Sequence, residues 1–243
     1  MTEFYTIPIF NQSVPGIWDD FLRIRIDTMR HNYNLELSPS EIQRFMQEYA
    51  ANWARYGGSY AYGAYDASGQ MLGSINGMVY NGVGQVEQLH VSPAHQGQHI
   101  GRVLLNNAEN AVAMMKGRRL ELISLSRAET FYQSNGYQNR SLCGYFKKIK
   151  SPRCGTIPVF WCRPDLAASC KLSAETVHQV NKEHWPMFAY CDHECNILGH
   201  SIIDPQENVQ ISLSSGSFDK RFVQRDLARI SDRYLLHQQS KVR

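Results

Sequence analysis

Apolar residues recur with a helical period from Ile17 to Tyr33, where Ile17, Phe21, Ile24 and Thr28 fall on one face. "SPSE" at Ser38–Glu41 is a capping box with proline at the first helical position, so a second helix is expected to start there. It should run to about Arg55 and stop at Gly57-Gly58. The period then changes to two. Tyr60 to Tyr65 alternates as a strand, Ala67 to Gln70 turns, Met71 to Tyr80 returns, and Asn81–Gly84 turns again. Val86 to Val91 completes this antiparallel series. A helix follows from about Gly101 to Lys116, with Leu104, Leu105, Ala108, Ala111, Val112 and Met115 as its buried stripe. Leu120 to Leu125 is nearly continuous in apolar residues and predicts a central, buried strand. Arg127 to Ser134 is a short helix ended by Asn135-Gly136, and Tyr137 to Ile149 reads as one or two strands.

"KSPRCG" at Lys150–Gly155 marks the best boundary, dividing the chain into residues 1–150 and 151–243. Beyond it the pattern predicts a strand (Ile157–Cys162), a helical stretch (Asp165–His184), a hairpin (Met187–Leu213) and a final amphipathic helix. In that helix Val223, Leu227, Ile230 and Tyr234 form a stripe that needs a partner surface, either the first domain or a second subunit of a homodimer. An internal echo runs across the boundary: "AYDASGQMLGSI" from Ala64 resembles "AYCDHECNILGHSI" from Ala189. The second half could therefore be a degenerate partial copy of the first, although two generic hairpins would look much the same.

The chain is 243 residues long, with 43% hydrophobic and 19% charged residues, as in an ordinary globular protein. It contains no apolar run of membrane-spanning length, and "MTEFYTIPIF" lacks the basic start of a secretory signal. The six cysteines are irregularly spaced, which fits reduced thiols in a cytoplasmic protein better than a disulfide framework. "CDHEC" at Cys191–Cys195 has the look of half a metal site, but no second pair stands out and no metal is expected. The net charge of +3 is uneven, because residues 217–243 carry seven Lys/Arg against three Asp/Glu. That basic end reads as the solvated face of a helix, so nucleic acid is not an expected partner.

The chemistry-bearing stretch is "QLHVSPAHQGQHIGRVLL", from Gln88 to Leu105. A strand passes through a glycine-bearing turn directly into a helix, and free amides with a favourable dipole at such a junction attract anions. The turn is not a Walker loop, since no Gly-Lys-Ser/Thr follows. Nor does it open a dinucleotide-binding fold.

Val91–Gly101, "VSPAHQGQHIG", resembles the acyl-CoA-binding motif of the GCN5-related N-acetyltransferase (GNAT) superfamily, Gln/Arg-x-x-Gly-x-Gly/Ala after a strand ending Val-x-Pro. Gln96 and Gly101 match its ends, and His99 departs at the middle glycine. "AETFYQSNGY" at Ala128–Tyr137 resembles a second family segment, Ala-x-x-Phe-Tyr-x-x-x-Gly-Phe. The resemblance covers about residues 1–149. It implies an α/β fold with a mixed sheet, the GNAT acyl-CoA N-acyltransferase fold, followed by a smaller α+β region.

It also implies acetyl-CoA as cosubstrate and transfer of its acetyl group to a primary amine of a small molecule or peptide. The cofactor would lie between splayed strands, against Leu89, His90, Val91, Gln96, Gly97, Gln98, His99, Ile100, Gly101 and Arg102. Amides near Leu89 would stabilise an oxyanion. Tyr132 matches the tyrosine that protonates the leaving thiolate. Glu87 is the candidate base, with His90 second. Lys116, Arg118 and Arg119 are further candidates for the phosphates. Leu125 stands where many members carry asparagine, so pantetheine binding would rest on backbone pairing. Residues Arg30–Tyr56, with whatever residues 151–243 lay over the cleft, are expected to select the acceptor; the aromatic stretch Trp53, Tyr56, Tyr60 and Tyr62 either lines the cleft or packs helix against sheet. The alternative is a non-catalytic acyl-CoA-binding module that keeps the fold.

Overall fold

The computed structural model describes residues 3–10, 17–44, 47, 59–141, 143–149, 154–160, 162–183, 185–192, 194 and 196–242. Two sheets organise them. The larger has seven strands in the order β1-β2-β3-β4-β5-β7-β6, formed by Phe4–Pro8, Ser59–Asp66, Met71–Tyr80, Val83–Val91, Arg119–Ile123, Gln138–Asn139 (β6) and Gly144–Lys148 (β7). All neighbouring pairs are antiparallel except β4–β5. The smaller sheet has four antiparallel strands, β8 (Gly155–Pro158), β9 (Met187–Cys191), β10 (Ile197–Ile203) and β11 (Val209–Leu213), in that spatial order.

Helices cover both faces of the large sheet. On one, α1 (Ile17–Tyr33) buries the expected stripe of Ile17, Phe21, Ile24 and Thr28. On the other, α2 (Ile100–Met114) buries Leu104, Leu105, Ala108, Ala111 and Val112 against Tyr60, Tyr62, Leu72 and Ile75. The capping box forms as expected: Ser38 N donates to Glu41 Oε2 at 2.8 Å, and Glu41 N donates to Ser38 Oγ at 3.3 Å. Residues 39–44 are helical, and the rest of the expected second helix lies largely outside the described residues.

Several expectations are corrected. Phe4–Pro8 forms an edge strand that the short run FYTIP had not suggested. The fourth strand starts at Val83 rather than Val86. The expected buried strand at Leu120–Leu125 spans Arg119–Ile123 and alternates instead: Leu120 and Leu122 are buried, Ile123 is 78% exposed and Leu125 48% exposed. Only one face of β5 is covered by α2, so its continuous apolar run does not mean two-sided burial. Asp165–His184 breaks into α4 (Pro164–Cys170) and α5 (Ala174–Lys182), because Lys171 turns left-handed at φ 54° and Ser173 caps the next helix. The final strand series has three members rather than two.

The last helix, α6 (Lys220–Val242), finds its partner within the chain. Val223, Leu227 and Tyr234 join Phe188 and Tyr190 in one buried cluster with Ile7, Phe10, Phe21, Ala61 and Met71. The element order of the second half, β8, two helices, β9–β11 and then α6, repeats the order of the first up to α2. The hairpin turns of the echoed segments also match. Asp66 Oδ1 accepts the amides of Ser68 and Gln70, and Asp192 Oδ1 accepts those of Glu194 and Asn196. Asp204 makes the same turn with Gln206 and Asn208, so the turn by itself is common hairpin chemistry.

Candidate active site

The site is set by a fork in the large sheet. β4 and β5 pair in parallel only over Val83–Val86 and Arg119–Leu122. Beyond Val86, β4 continues to Val91 without a partner on that side among the described residues. A row of backbone donors and acceptors is thereby left beside a cavity of about 670 Å³, onto which Leu89 and Val91 face.

The turn after β4 forms one wall. The first helical bond of α2 runs from Val103 N to His99 O, so the amides preceding it lack helical acceptors. Gly97, His99, Ile100, Gly101 and Arg102 line the cavity. Gly97 has φ 78°, and a Cβ there would meet nothing, so its requirement is conformational. His99 also adopts the left-handed conformation, at φ 64° and ψ 3°, and caps the helix without a side-chain bond. The family motif has glycine there for a reason the backbone makes plain. Gly101 is needed for space: a Cβ would lie 3.2 Å from the Phe131 ring. The Gln96 side chain is turned inward, Nε2 donating to Val91 O at 3.1 Å, and Thr28 Oγ1 of α1 donates to the same carbonyl at 3.2 Å. Turn, strand end and α1 are thus tied at one oxygen.

The opposite wall comes from α3 (Glu129–Ser134) and the residues preceding it. Arg127, Phe131, Tyr132 and Asn135 line the cavity, joined by Asn32 and Tyr33 from the end of α1. Tyr132 is buried, and its ring packs at 5.1 Å from Phe131 and 5.9 Å from Tyr137. Desolvation, and secondarily the neighbouring Tyr33, hold its hydroxyl well above the ordinary tyrosine range. It is protonated at any working pH. Burial similarly raises Tyr33, against the opposing charge of Arg127. Asn32 and Tyr33 fall in the segment Arg30–Tyr56 expected to select the acceptor, although neither was singled out, and Arg127 and His95 line the cavity without having been named as site residues. Arg127 directly precedes the "AETFY" segment, a proximity that could have flagged it.

Glu87 and His90 do not line this cavity. Glu87 accepts a hydrogen bond from Asn76 Nδ2 at 3.0 Å. Desolvation of its carboxyl raises it above the usual carboxylate range, and the bond from Asn76 opposes that rise. His90 pairs with Ser74 across the sheet, near Arg25 of α1. Burial, then the Arg25 charge, lower it to about 4, so its imidazole is neutral at neutral pH. Gln98 is likewise absent from the cavity wall.

The basic candidates separate. Arg102 and Arg127 stand exposed on the cavity rim. Lys116 instead pairs with Asp165, and Arg119 with Glu121 at 2.7 Å, both at the far end of α2. Arg118 shares that remote end. Tyr60 and Tyr62 are core residues packed under α2 rather than acceptor contacts, while Trp53 and Tyr56 lie outside the described residues. Cys191 of "CDHEC" is buried against Met114, whereas His193 and Cys195 lie outside the described residues. No group of three or more metal-ligating side chains occurs among the described residues. The described cysteines are free, and no described helix is long and apolar enough to cross a membrane.

The start of the equivalent helix in the second half differs. Its equivalent helix, α6, is capped by Asp219, whose Oδ1 accepts the amide of Phe222 at 3.0 Å. A carboxylate occupies this helix terminus, whereas the α2 cap, His99, makes no side-chain bond.

The family model described as "Acetyltransferase (GNAT) domain" matches residues 34–151. Among solved structures, a GNAT-family acetyltransferase from Staphylococcus aureus is 14% identical, with TM-score 0.50, and the match covers 61% of this chain and all of that one. An acetyltransferase from Streptococcus agalactiae is 14% identical, with TM-score 0.51, covering 60% of this chain and 98% of that one. At such identities the likeness concerns the fold. No curated protein sequence matches the chain. The matched residues 34–151 thus fall almost wholly within the unit built by the large sheet, which resembles a GNAT acetyltransferase domain in sequence and in fold.

Proposed function

We propose that the protein is an acetyl-CoA-dependent N-acetyltransferase acting on a primary amine of a small molecule or peptide. In this reading residues 1–150 carry the chemistry and residues 151–243 form a supporting unit. The observation that carries it is the meeting of two distant segments in one cleft: the turn residues Gly97 and His99–Arg102 and the side of α3 that carries Tyr132 line the same cavity as Leu89 and Val91 of β4. The residues fit the cofactor's groups. The first-turn amides of α2, with Arg102 and Arg127 at the rim, suit the phosphates, and the stretch of β4 beyond Val86, which has no strand partner on that side among the described residues, suits the pantetheine amides.

Acetyl-CoA, when bound, supplies the acyl carbon to which an amine adds. Glu87 takes the proton the amine must lose, directly or through water. The Leu89 amide stabilises negative charge developing on the acyl oxygen. Tyr132, kept protonated by burial, donates to the departing sulfur. Leu125 is exposed near the strand end and offers no polar contact, so the cofactor arm depends on β4 backbone.

The test is release of free CoA thiol with a panel of polyamines, amino sugars, amino acids and peptide N-termini. At least one amine should support turnover. Tight acetyl-CoA binding without turnover on any amine would favour a binding module instead.

A further inference from the structure

β3 and β4 run in register from Gly73–Val91 to Asn76–Gln88, and resume at Gly77–Val86. Glu87 is the extra residue of a β-bulge, with Glu87 and Gln88 together opposite Asn76. The bulge falls at the fork, because Val86 is the last residue of β4 paired with β5. It is pinned from the other side by Tyr60, whose hydroxyl donates to Gln85 O at 2.9 Å across Gly77. A Cβ on Gly77 would collide with both of those oxygens, so only glycine admits this strut. Asn76 itself is 2% exposed on a central strand, and its Nδ2 reaches Glu87 Oε2 at 3.0 Å.

We propose that Asn76 is a positioning residue for amine deprotonation: its amide fixes the Glu87 carboxylate beside the fork and favours its ionised form. This rests on the reading of Glu87 as the proton acceptor. The amine N–H bond breaks, its proton passes to a Glu87 oxygen, and the nitrogen lone pair forms the new bond to the acyl carbon. Among the described residues, the other titratable or charged groups on elements packed around Glu87 are Tyr60 of β2, Arg25 of α1, His90 of β4 and Glu121 of β5. Tyr60 is buried and neutral, and Glu121 is held by Arg119 and Arg140.

A hydrogen bond donated to a carboxylate favours its charged form, so losing it raises the proton affinity of Glu87. A base works only when unprotonated, and the acid limb of the rate profile must therefore move to higher pH. We expect Asn76→Ala to lower kcat/KM about tenfold below the limb, as the loss of a hydrogen bond to a charged group implies. The alkaline plateau should fall less than the rate on the acid limb, because there only the placement of the carboxylate is lost, and the KM for acetyl-CoA should be unchanged. The isosteric Asn76→Asp, which sets a second carboxylate beside Glu87, should move the limb further.

The measurement is CoA-thiol release against pH, using the amine of highest turnover from the panel. It is paired with a 13C NMR titration of the Glu87 carboxyl in the cofactor-free protein, assigned with Glu87→Gln. An unmoved limb and an unmoved titration in the Asn76 variants overturn the proposal, whatever happens to the overall rate. If Glu87→Gln keeps both rate and limb, the base reading falls and the positioning role falls with it, while acetyl transfer itself stands.

Discussion

His99 is the residue at which motif and backbone pull apart. It occupies a left-handed position that disfavours a side chain by about 1–2 kcal/mol. Replacing it by glycine removes that cost but adds about 0.5–1 kcal/mol of unfolded-state entropy. His99→Gly should therefore stabilise the fold by roughly 0.5 kcal/mol in denaturant unfolding and retain acetyl-CoA binding. A large loss of affinity would show that the imidazole itself contacts the ligand. Tyr132 raises the complementary issue. Its hydroxyl has no protein partner among the described residues, while its ring is fully engaged in packing. Tyr132→Phe should keep the fold and acetyl-CoA affinity yet lower kcat on the order of a hundredfold, the usual worth of a general acid. Equal loss in the melting temperature and in kcat would instead mark it as a packing residue.

At the scale of elements, what the sequence makes legible follows from period and capping. α1 and the capping box were readable because their apolar spacing and polar starts are local. The phosphate turn and the α3 segment were readable because their residue order is distinctive. Three things were not. β1 is five residues long and gains its identity only by pairing with β2, a contact more than fifty residues away. The solvent-facing side of β5 depends on what covers it, which no alternation in "LELISL" reveals. Nor could the strand pattern show that Glu87 is an extra residue in the ladder, because a bulge is defined by register against a partner. Within the segment Arg30–Tyr56, Asn32 and Tyr33 could not be singled out for a similar reason: the end of α1 meets the cleft only through tertiary packing.

For the whole molecule, the second half is joined to the first through a shared core. Leu227 is fully buried in the cluster that also holds Phe21 and Met71. Leu227→Ala should destabilise the protein by about 2–5 kcal/mol, read by denaturant unfolding. Ending the chain at Ile149 should expose that cluster and yield an insoluble or aggregated product. Recovery of a stable, monomeric 149-residue fragment would show that the second half is dispensable for folding. The element order repeats between the halves, but the helix start of the second half is capped from within by Asp219.

The most direct measurement is a calorimetric titration of acetyl-CoA into the wild-type chain and into Gly101→Asp. That variant presses a side chain onto Phe131 and puts a carboxylate among the open amides. Saturable binding of one acetyl-CoA per chain, abolished in the variant with the fold intact, is the predicted result. Absence of binding by the wild type, two sites per chain, or equal binding by the variant would contradict the account.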